Sequence, residues 1–482
     1  MKLFLDNVGI IKKSQVLLDG LTVITGKNSS GKTTVGKTIY SLIAAAQAPV
    51  EAFEECTRTY IIGQLKEIEK VLQLRRMRRM HSPYTKDELG YDQIIRILTT
   101  YGFINLGTSE LINFLRDTQL FIGELSLGQY IKYFSLEEGF SAHSRSLANA
   151  VIDGFEEWKQ QALQICRNTF DMLESENAFY DFLQDRTAAY LEHEFNEQIQ
   201  PVRDENAISN ISLSDAGKIL VKASVRDAGI LEFSPASVFM YPYEKCIFID
   251  NPFVIDHLDE FEEDRNSLFH SLTIESNSDR LISSEDIASH DDVLIRQIMQ
   301  NEEKNFFNNL EIQKKYKEVF DRINDIVPGE FLQTTKGIYY ANRGAKLSIK
   351  NLATGSKMFF IIKKLLLNGL LDEKTMLVLD EPESHLHPEW INKFAEILVV
   401  LIKDIGVNVL LTTHSPNLML ALNVYAKKHN IADNAHFYLA ESKEDYYSRI
   451  RCIDESIGEG YSHLAMPLVQ MNLYWEELDP EG

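Results

Sequence analysis

Residues 26–34 read Gly26-Lys27-Asn28-Ser29-Ser30-Gly31-Lys32-Thr33-Thr34, directly after the apolar run Leu21-Thr22-Val23-Ile24-Thr25 and directly before a helix-like stretch over residues 35–43. The spacing Gly-x4-Gly-Lys-Thr lets backbone N–H groups curl round an anion at a helix N-terminus, where the helix dipole adds a positive field. Gly26 and Gly31 supply the backbone freedom of a tight phosphate nest. Lys32 is placed to reach the β- and γ-phosphates of a nucleotide, and Thr33 to offer its hydroxyl to Mg²⁺. All nine residues form the expected nucleotide cradle.

The rest of the composition bounds the setting of this loop. A chain of 482 residues with 44% hydrophobic content buries enough surface for two or three structural units. Cys56, Cys166, Cys246 and Cys452 lie far apart without a CxxC pair, which suits reduced thiols of the cytosol, not a disulfide framework or a zinc site. The start, Met1-Lys2-Leu3-Phe4-Leu5-Asp6, lacks a signal-peptide core, and no run approaches the roughly 18 apolar residues of a membrane span. A cytoplasmic chain without a membrane partner is expected. With 49 basic against 71 acidic residues, a formal charge of −22, the general surface opposes nucleic acid, so any such contact must be focused. Arg75-Arg76-Met77-Arg78-Arg79 is the candidate focus; a solvated helix face paired with the protein's own carboxylates is the alternative.

Periodicity divides the chain into five segments. Residues 1–50 read as strands leading into the loop and its helix. Residues 51–205 keep helical spacing and form an expected helical insertion. In residues 206–255 the period falls towards two, so the chain rejoins the nucleotide-binding sheet. Residues 256–328 are acidic and helical, with Asp256 to Asp264 and Asp291-Asp292 read as solvated faces. From 329 to 482 strands and helices alternate, with 337–340, 346–349, 376–379 and 407–411 expected as strands completing a parallel α/β sheet.

The second half of the nucleotide site is legible in this last segment. The apolar residues 376–379 end in Asp380-Glu381-Pro382-Glu383. An Asp at a strand end can hold Mg²⁺, and the adjacent Glu can polarise a water. Ala353-Thr354-Gly355-Ser356-Lys357 opens a helix, whose free N–H groups and positive dipole end suit an anion; an ordinary cap made by Thr354 is the bland reading. His414, in Thr412-Thr413-His414-Ser415-Pro416, follows another apolar strand. His385 and His387 lack an evident third ligand for a metal.

With these motifs in place, the sequence resembles an ABC-type ATPase head of the SMC-like and OLD-family kind, with LATGSK where that family has LSGGQ and DEPESHLHP combining Walker B with the D-loop. It resembles in particular the ATPase subunits of antiphage systems such as Septu and PARIS. The resemblance covers roughly residues 1–50 and 320–440. It implies an ABC-type P-loop head split by a large, mainly helical insertion, using ATP and Mg²⁺, with Thr33 and Asp380 at the metal, Glu381 as catalytic base and His414 touching the γ-phosphate. It also implies that residues 353–357 act across a homodimer on the partner's ATP, that larger oligomers of such dimers form, and that a separate effector, a nuclease, is controlled in response to a phage protein or DNA. The Q-loop glutamine of the family has no clear equivalent: Asp250 and Asn251 stand at that place. The residues after His414 are too few for a TOPRIM nuclease, so the chain is expected not to cut nucleic acid itself, and the acids beyond Trp475 are read as a disordered end. A DNA-maintenance clamp is the alternative, opposed by the lack of sustained heptads; a transporter ATPase is opposed by the long interruption between the phosphate loop and residues 353–357.

Overall fold

The computed structural model describes residues 1–72, 94, 97–98, 101–133, 142–201, 204, 206–226, 229–235, 241–258, 282, 287–299, 312–334, 337–442 and 447–478. The arginine tract at 75–79 and most of the acidic stretch at 256–264 lie outside them. The described residues fall into two compact units, one drawn from Met1–Gln47, Gln184–Asn266 and Ser283–Gly482, the other from Ala48–Leu183 and Ser267–Ile282.

The first unit is built on strands β1 (Lys2–Val8), β2 (Ile11–Leu17), β3 (Leu21–Gly26), β4 (Ser209–Asp215), β5 (Lys218–Arg226), β6 (Gly229–Pro235), β7 (Lys245–Ile249), β8 (Glu330–Thr334), β9 (Gly337–Asn342), β10 (Ala345–Ser348), β11 (Thr375–Asp380), β12 (Asn408–Thr413), β13 (Ala435–Ser442) and β14 (Ser448–Cys452). Eleven of them form one sheet in the order β6-β5-β4-β1-β2-β14-β13-β3-β12-β11-β7. From β13 to β7 the neighbours are parallel; from β6 to β2 they are antiparallel. The chemistry of the strands explains the split. β3 is buried along its whole length and β11 at all but Asp380, as parallel strands covered on both faces must be, whereas β1 alternates.

The helices, in chain order, are α1 (Lys32–Ala46), α2 (Pro49–Val71), α3 (Thr108–Glu124), α4 (Leu127–Tyr133), α5 (Ala142–Leu173), α6 (Ala178–Phe195), α7 (His290–Met299), α8 (Lys317–Ile326), α9 (Thr354–Leu367), α10 (Pro388–Ile405), α11 (Pro416–Lys428) and α12 (Ile457–Leu478). Phe359 and Phe360 of α9 and Phe394 and Leu398 of α10 join Leu377 and Leu379 of β11 and Val409 of β12 in one buried core. The sheet is thereby fixed with the C-terminal ends of β3, β7, β11 and β12 at one edge, where open parallel sheets bind ligands.

In the second unit, Leu65 of α2, Leu115 and Phe121 of α3, and Phe155 and Cys166 of α5 close a separate core with Phe103. The first segment of this unit runs from Ala48 to Leu183, and the rest of α6 packs with the first unit. Lys37 Nζ donates to the Glu194 carbonyl (2.7 Å) and Ser41 Oγ to that of Tyr190 (3.3 Å).

The mixed α/β fold read from sequence is the one found, with two corrections. Residues 337–340 and 346–349, expected in the parallel sheet, belong to a separate antiparallel sheet, β10-β9-β8. The turn decides this: Arg343 and Gly344 both have positive φ, the backbone of a tight hairpin that folds β10 directly onto β9. The other concerns the end of the chain, where Glu476 and Glu477 belong to α12, which runs to Leu478. No helix among the described residues is long and apolar enough to cross a membrane.

Candidate nucleotide site

Between β3 and α1 the chain makes the nest that its glycines anticipate. Gly31 is the N-cap of α1 with φ 85°, and neither a capping side chain nor an acidic residue in the first turn satisfies the free N–H groups. Ser29 also has positive φ. A Cβ on Gly26 would lie 2.6 Å from the Ala440 carbonyl oxygen and 2.9 Å from Ser30 Oγ, so only glycine fits beneath the loop. Lys27, Asn28 and Ser29 are exposed at its crest, and Ser30 is buried with an unpartnered hydroxyl. Lys32, only 4% exposed, points its ammonium at the Gly26 (3.2 Å) and Lys27 (3.0 Å) carbonyls and at Glu381 Oε1 (3.2 Å).

Parallel register delivers the acidic half. Asp380 ends β11, beside Thr412 of β12. Thr33 Oγ1 donates to Asp380 Oδ2 over 2.7 Å, joining residues 347 positions apart. Thr412 Oγ1 donates to the other Asp380 oxygen. Burial pushes the Asp380 carboxyl above its usual range, against these two hydrogen bonds, so a cation there would relieve a desolvated charge. A hydroxyl and a carboxylate side by side are oxygen donors suited to Mg²⁺, and the unpartnered hydroxyl and free N–H groups of the loop suit phosphate oxygens; both groups fit the residues present.

Glu381 takes a left-handed backbone, φ 48°, held because its N–H donates to the Thr412 carbonyl (3.1 Å) and hydroxyl (3.2 Å). Its carboxylate stands between Lys32 and His414, whose Nδ1 is 3.2 Å from Glu381 Oε2. The sequence reading missed the residue beneath this pair. Glu383 is buried, and its Oε1 accepts from Thr413 Oγ1 (2.5 Å) and the His414 N–H (3.1 Å). Burial raises its carboxyl above the usual range. The third acid of Asp380-Glu381-Pro382-Glu383 thus seats the histidine segment.

Residues 353–357 open α9 as expected. The N-cap is Ala353 and no side chain caps the helix, so Thr354 makes no cap. Gly355 is required for packing: a Cβ would meet the His385 carbonyl at 3.0 Å and the Trp390 ring at 3.2 Å. Lys357 is buried, with Nζ 2.6 Å from Asp256 Oδ1 and 4.8 Å from the centre of the Phe253 ring, against which His385 packs edge-on at 5.2 Å. His387 accepts the Glu389 N–H at the start of α10. Both histidines are thereby engaged in packing and capping.

At the place of the missing glutamine, Asn251 caps the turn after β7 through the Phe253 N–H. Asp250 is tied to His290, the first residue of α7: Nε2 lies 3.3 Å from Asp250 Oδ2, and Nδ1 is 2.9 Å from Glu194 Oε2. Glu194 is buried. Burial lowers the imidazole pKa, but the hydrogen bonds and charges of Asp250 and Glu194 outweigh it and push it up to about 10. Burial also works against the Asp250 charge, yet His290 holds that carboxyl below its usual range. Asp291 Oδ1 stands 3.9 Å from the same Nε2. The His290 imidazolium thus joins α6, β7 and α7 beside the nucleotide edge.

A phosphate loop closed by a strand-end aspartate, with a glutamate and a histidine above it, is an arrangement suited to the phosphates of a nucleotide and to Mg²⁺. A family model described as "AAA domain, putative AbiEii toxin, Type IV TA system" matches residues 243–421, the stretch that carries Asp250, residues 353–357, Asp380 to Glu383 and His414. Three solved structures are similar at low level. The SMC head domain from Thermotoga maritima is 12% identical with a TM-score of 0.35, covering 94% of this chain and 97% of that one. The Pyrococcus furiosus Smc head domain with an extended coiled coil, bound to the C-terminal domain of ScpA, is 11% identical with a TM-score of 0.36, covering 98% of each. The Pyrococcus yayanosii Smc head with a coiled coil and joint is 10% identical with a TM-score of 0.34, covering 97% and 99%. No curated protein matches the chain.

Proposed function

We propose that this chain is an ATP-hydrolysing head that engages a second copy of itself around two ATP molecules and passes its nucleotide state to a separate effector, a nuclease, in antiphage defence. The observation that supports the nucleotide part is the 2.7 Å bond from Thr33 to Asp380, which joins the phosphate loop to the strand-end acids. When bound, Mg²⁺ would be held by Thr33 and Asp380 and would neutralise developing phosphate charge. Lys32 binds the β- and γ-phosphates, Glu381 accepts the proton of the attacking water, and His414 orients the γ-phosphate. The uncapped N-terminus of α9, with Thr354 at its first turn, binds the γ-phosphate held by the partner head.

The defence role rests on the motif resemblance to antiphage ATPases and on a family description that names a toxin of a toxin–antitoxin system. The closed core of the helical unit favours effector control, with a phage protein or DNA as trigger, over a long-armed DNA clamp. Equilibrium binding of a fluorescent ATP analogue with Mg²⁺ tests the nucleotide part: Lys32→Ala should lose at least about 100-fold in affinity, given the strength of charge-assisted phosphate contacts. Near-normal binding by that variant would remove the assignment.

A further inference from the structure

We infer that α12 holds two copies of this chain together in the absence of nucleotide, through a contact separate from the ATP-dependent one and not resting on it. α12 begins against the body, where Gly460 and Ala465 are buried and Gly460 stands so close to Met419 and Ile453 that a Cβ there would lie 2.6 and 2.7 Å from their side chains. Beyond Ala465 the helix leaves this support. Met466, Leu468, Val469, Met471, Leu473, Tyr474 and Trp475 are all exposed, Leu468 by 64% and Trp475 by 68%. They point in every direction around the helix. A helix apolar on all sides is stable only when enclosed.

Three observations identify the cover as a second copy. The first is charge: the chain carries −22, so like faces repel over most of the surface, yet residues 464–475, Leu-Ala-Met-Pro-Leu-Val-Gln-Met-Asn-Leu-Tyr-Trp, contain no charged residue. Two copies can meet there without carboxylates opposing each other. The second is self-complementarity. At the base of α12 lies an open groove of about 410 Å³, lined by Met419, Leu420, Ile457 and Tyr461 and by the charged Lys427, Asp454 and Glu455, with exposed Leu420 and Val424 on α11. The molecule therefore carries both an apolar projection and a partly apolar receiver, whose Asp454 and Glu455 meet no opposing carboxylate when the uncharged stretch 464–475 enters it, as an isologous two-fold contact requires. The third is size. The exposed apolar side chains of α11 and α12 together offer roughly 1,000 Å² per copy, enough for the ~800 Å² that each partner contributes to a standard stable interface. In this arrangement the α12 tip of each copy lies in the α11–α12 groove of the other.

Sedimentation velocity of the full chain at micromolar concentration without nucleotide tests this. The expected species has twice the 55.3 kDa chain mass, and Lys32→Ala leaves it intact. Met471→Asp on the projection and, independently, Leu420→Glu at the groove should each give a monomer. Both sites are exposed, so unchanged circular dichroism and unchanged ATP affinity would show that folding is not the cause. A monomeric wild-type chain, which would leave α12 to a different protein, overturns the inference, as does a dimer that survives both substitutions. Loss of ATP binding by Lys32→Ala bears only on the nucleotide site, so the two readings fail separately.

Discussion

The ammonium of Lys32 lies 3.2 Å from Glu381 Oε1, so the residue proposed to grip phosphate and the residue proposed to activate water are paired with each other. An incoming γ-phosphate must compete with Glu381 for the same cation. Glu381 is about one-third exposed, which weakens the pair, but Lys32 is buried.

Glu381→Gln should therefore bind ATP more tightly than the wild type, by roughly 3- to 10-fold, the scale of one such pair. Isothermal titration with Mg²⁺ and ATP measures this. Weaker binding would mean that the pair assists nucleotide entry.

Glu383→Ala should separate positioning from binding. It leaves Thr413 Oγ1 and the His414 N–H without their shared acceptor, and a buried group so abandoned costs on the order of 1–3 kcal/mol. The expected result is a drop of about 10- to 100-fold in kcat, as for a displaced catalytic group, with the KM for ATP little changed and a measurable loss of thermal stability. An equal loss in kcat and ATP affinity would place Glu383 in the nucleotide contact itself.

His290 gives a pH signature. Its pKa is raised to about 10, whereas an unfolded histidine titrates near 6.5. The folded state thus holds the proton more tightly. The stabilisation is fully present below the unfolded value and is lost as pH rises through about 10. The lowered Asp250 pKa acts at the other end: that contribution is present above the unfolded carboxyl value and is lost as pH falls through the folded one. The urea stability gap between wild type and His290→Gln should be largest near pH 6, on the order of 2–3 kcal/mol for a broken buried pair, and should shrink steadily as pH rises from about 6.5 towards 10. A gap that grows with rising pH would contradict the imidazolium assignment.

How much of this site could be read beforehand depended on how local each cause is. Gly26 to Thr34 was legible because one loop contains all its donors. The strand-end acids were legible because an apolar strand announces where they stand. Glu383 was not, since its acceptor role exists only once β12 brings Thr413 alongside. The link between Glu194, Asp250 and His290 draws on three distant segments, and no spacing rule reaches across them. β9 and β10 alternate like any strand, so only the left-handed pair Arg343 and Gly344 distinguishes a hairpin from the main sheet. Glu476 and Glu477 were misread because they were weighed without the apolar helix that carries them; Asp479 and Glu481 lie outside the described residues.

Action across two heads is the central claim, and mixing measures it most directly. Lys32→Ala removes the phosphate loop's cation, while Thr354→Glu adds a negative charge at the first turn of α9, where an acid favours the helix but repels phosphate. Each variant alone should release almost no phosphate from ATP. After subunit exchange in an equimolar mixture, half the dimers should contain one site built from two intact halves. The account predicts recovery up to about a quarter of wild-type hydrolysis, as two-fold symmetry dictates. A mixture as inactive as its components, with exchange verified, would contradict it.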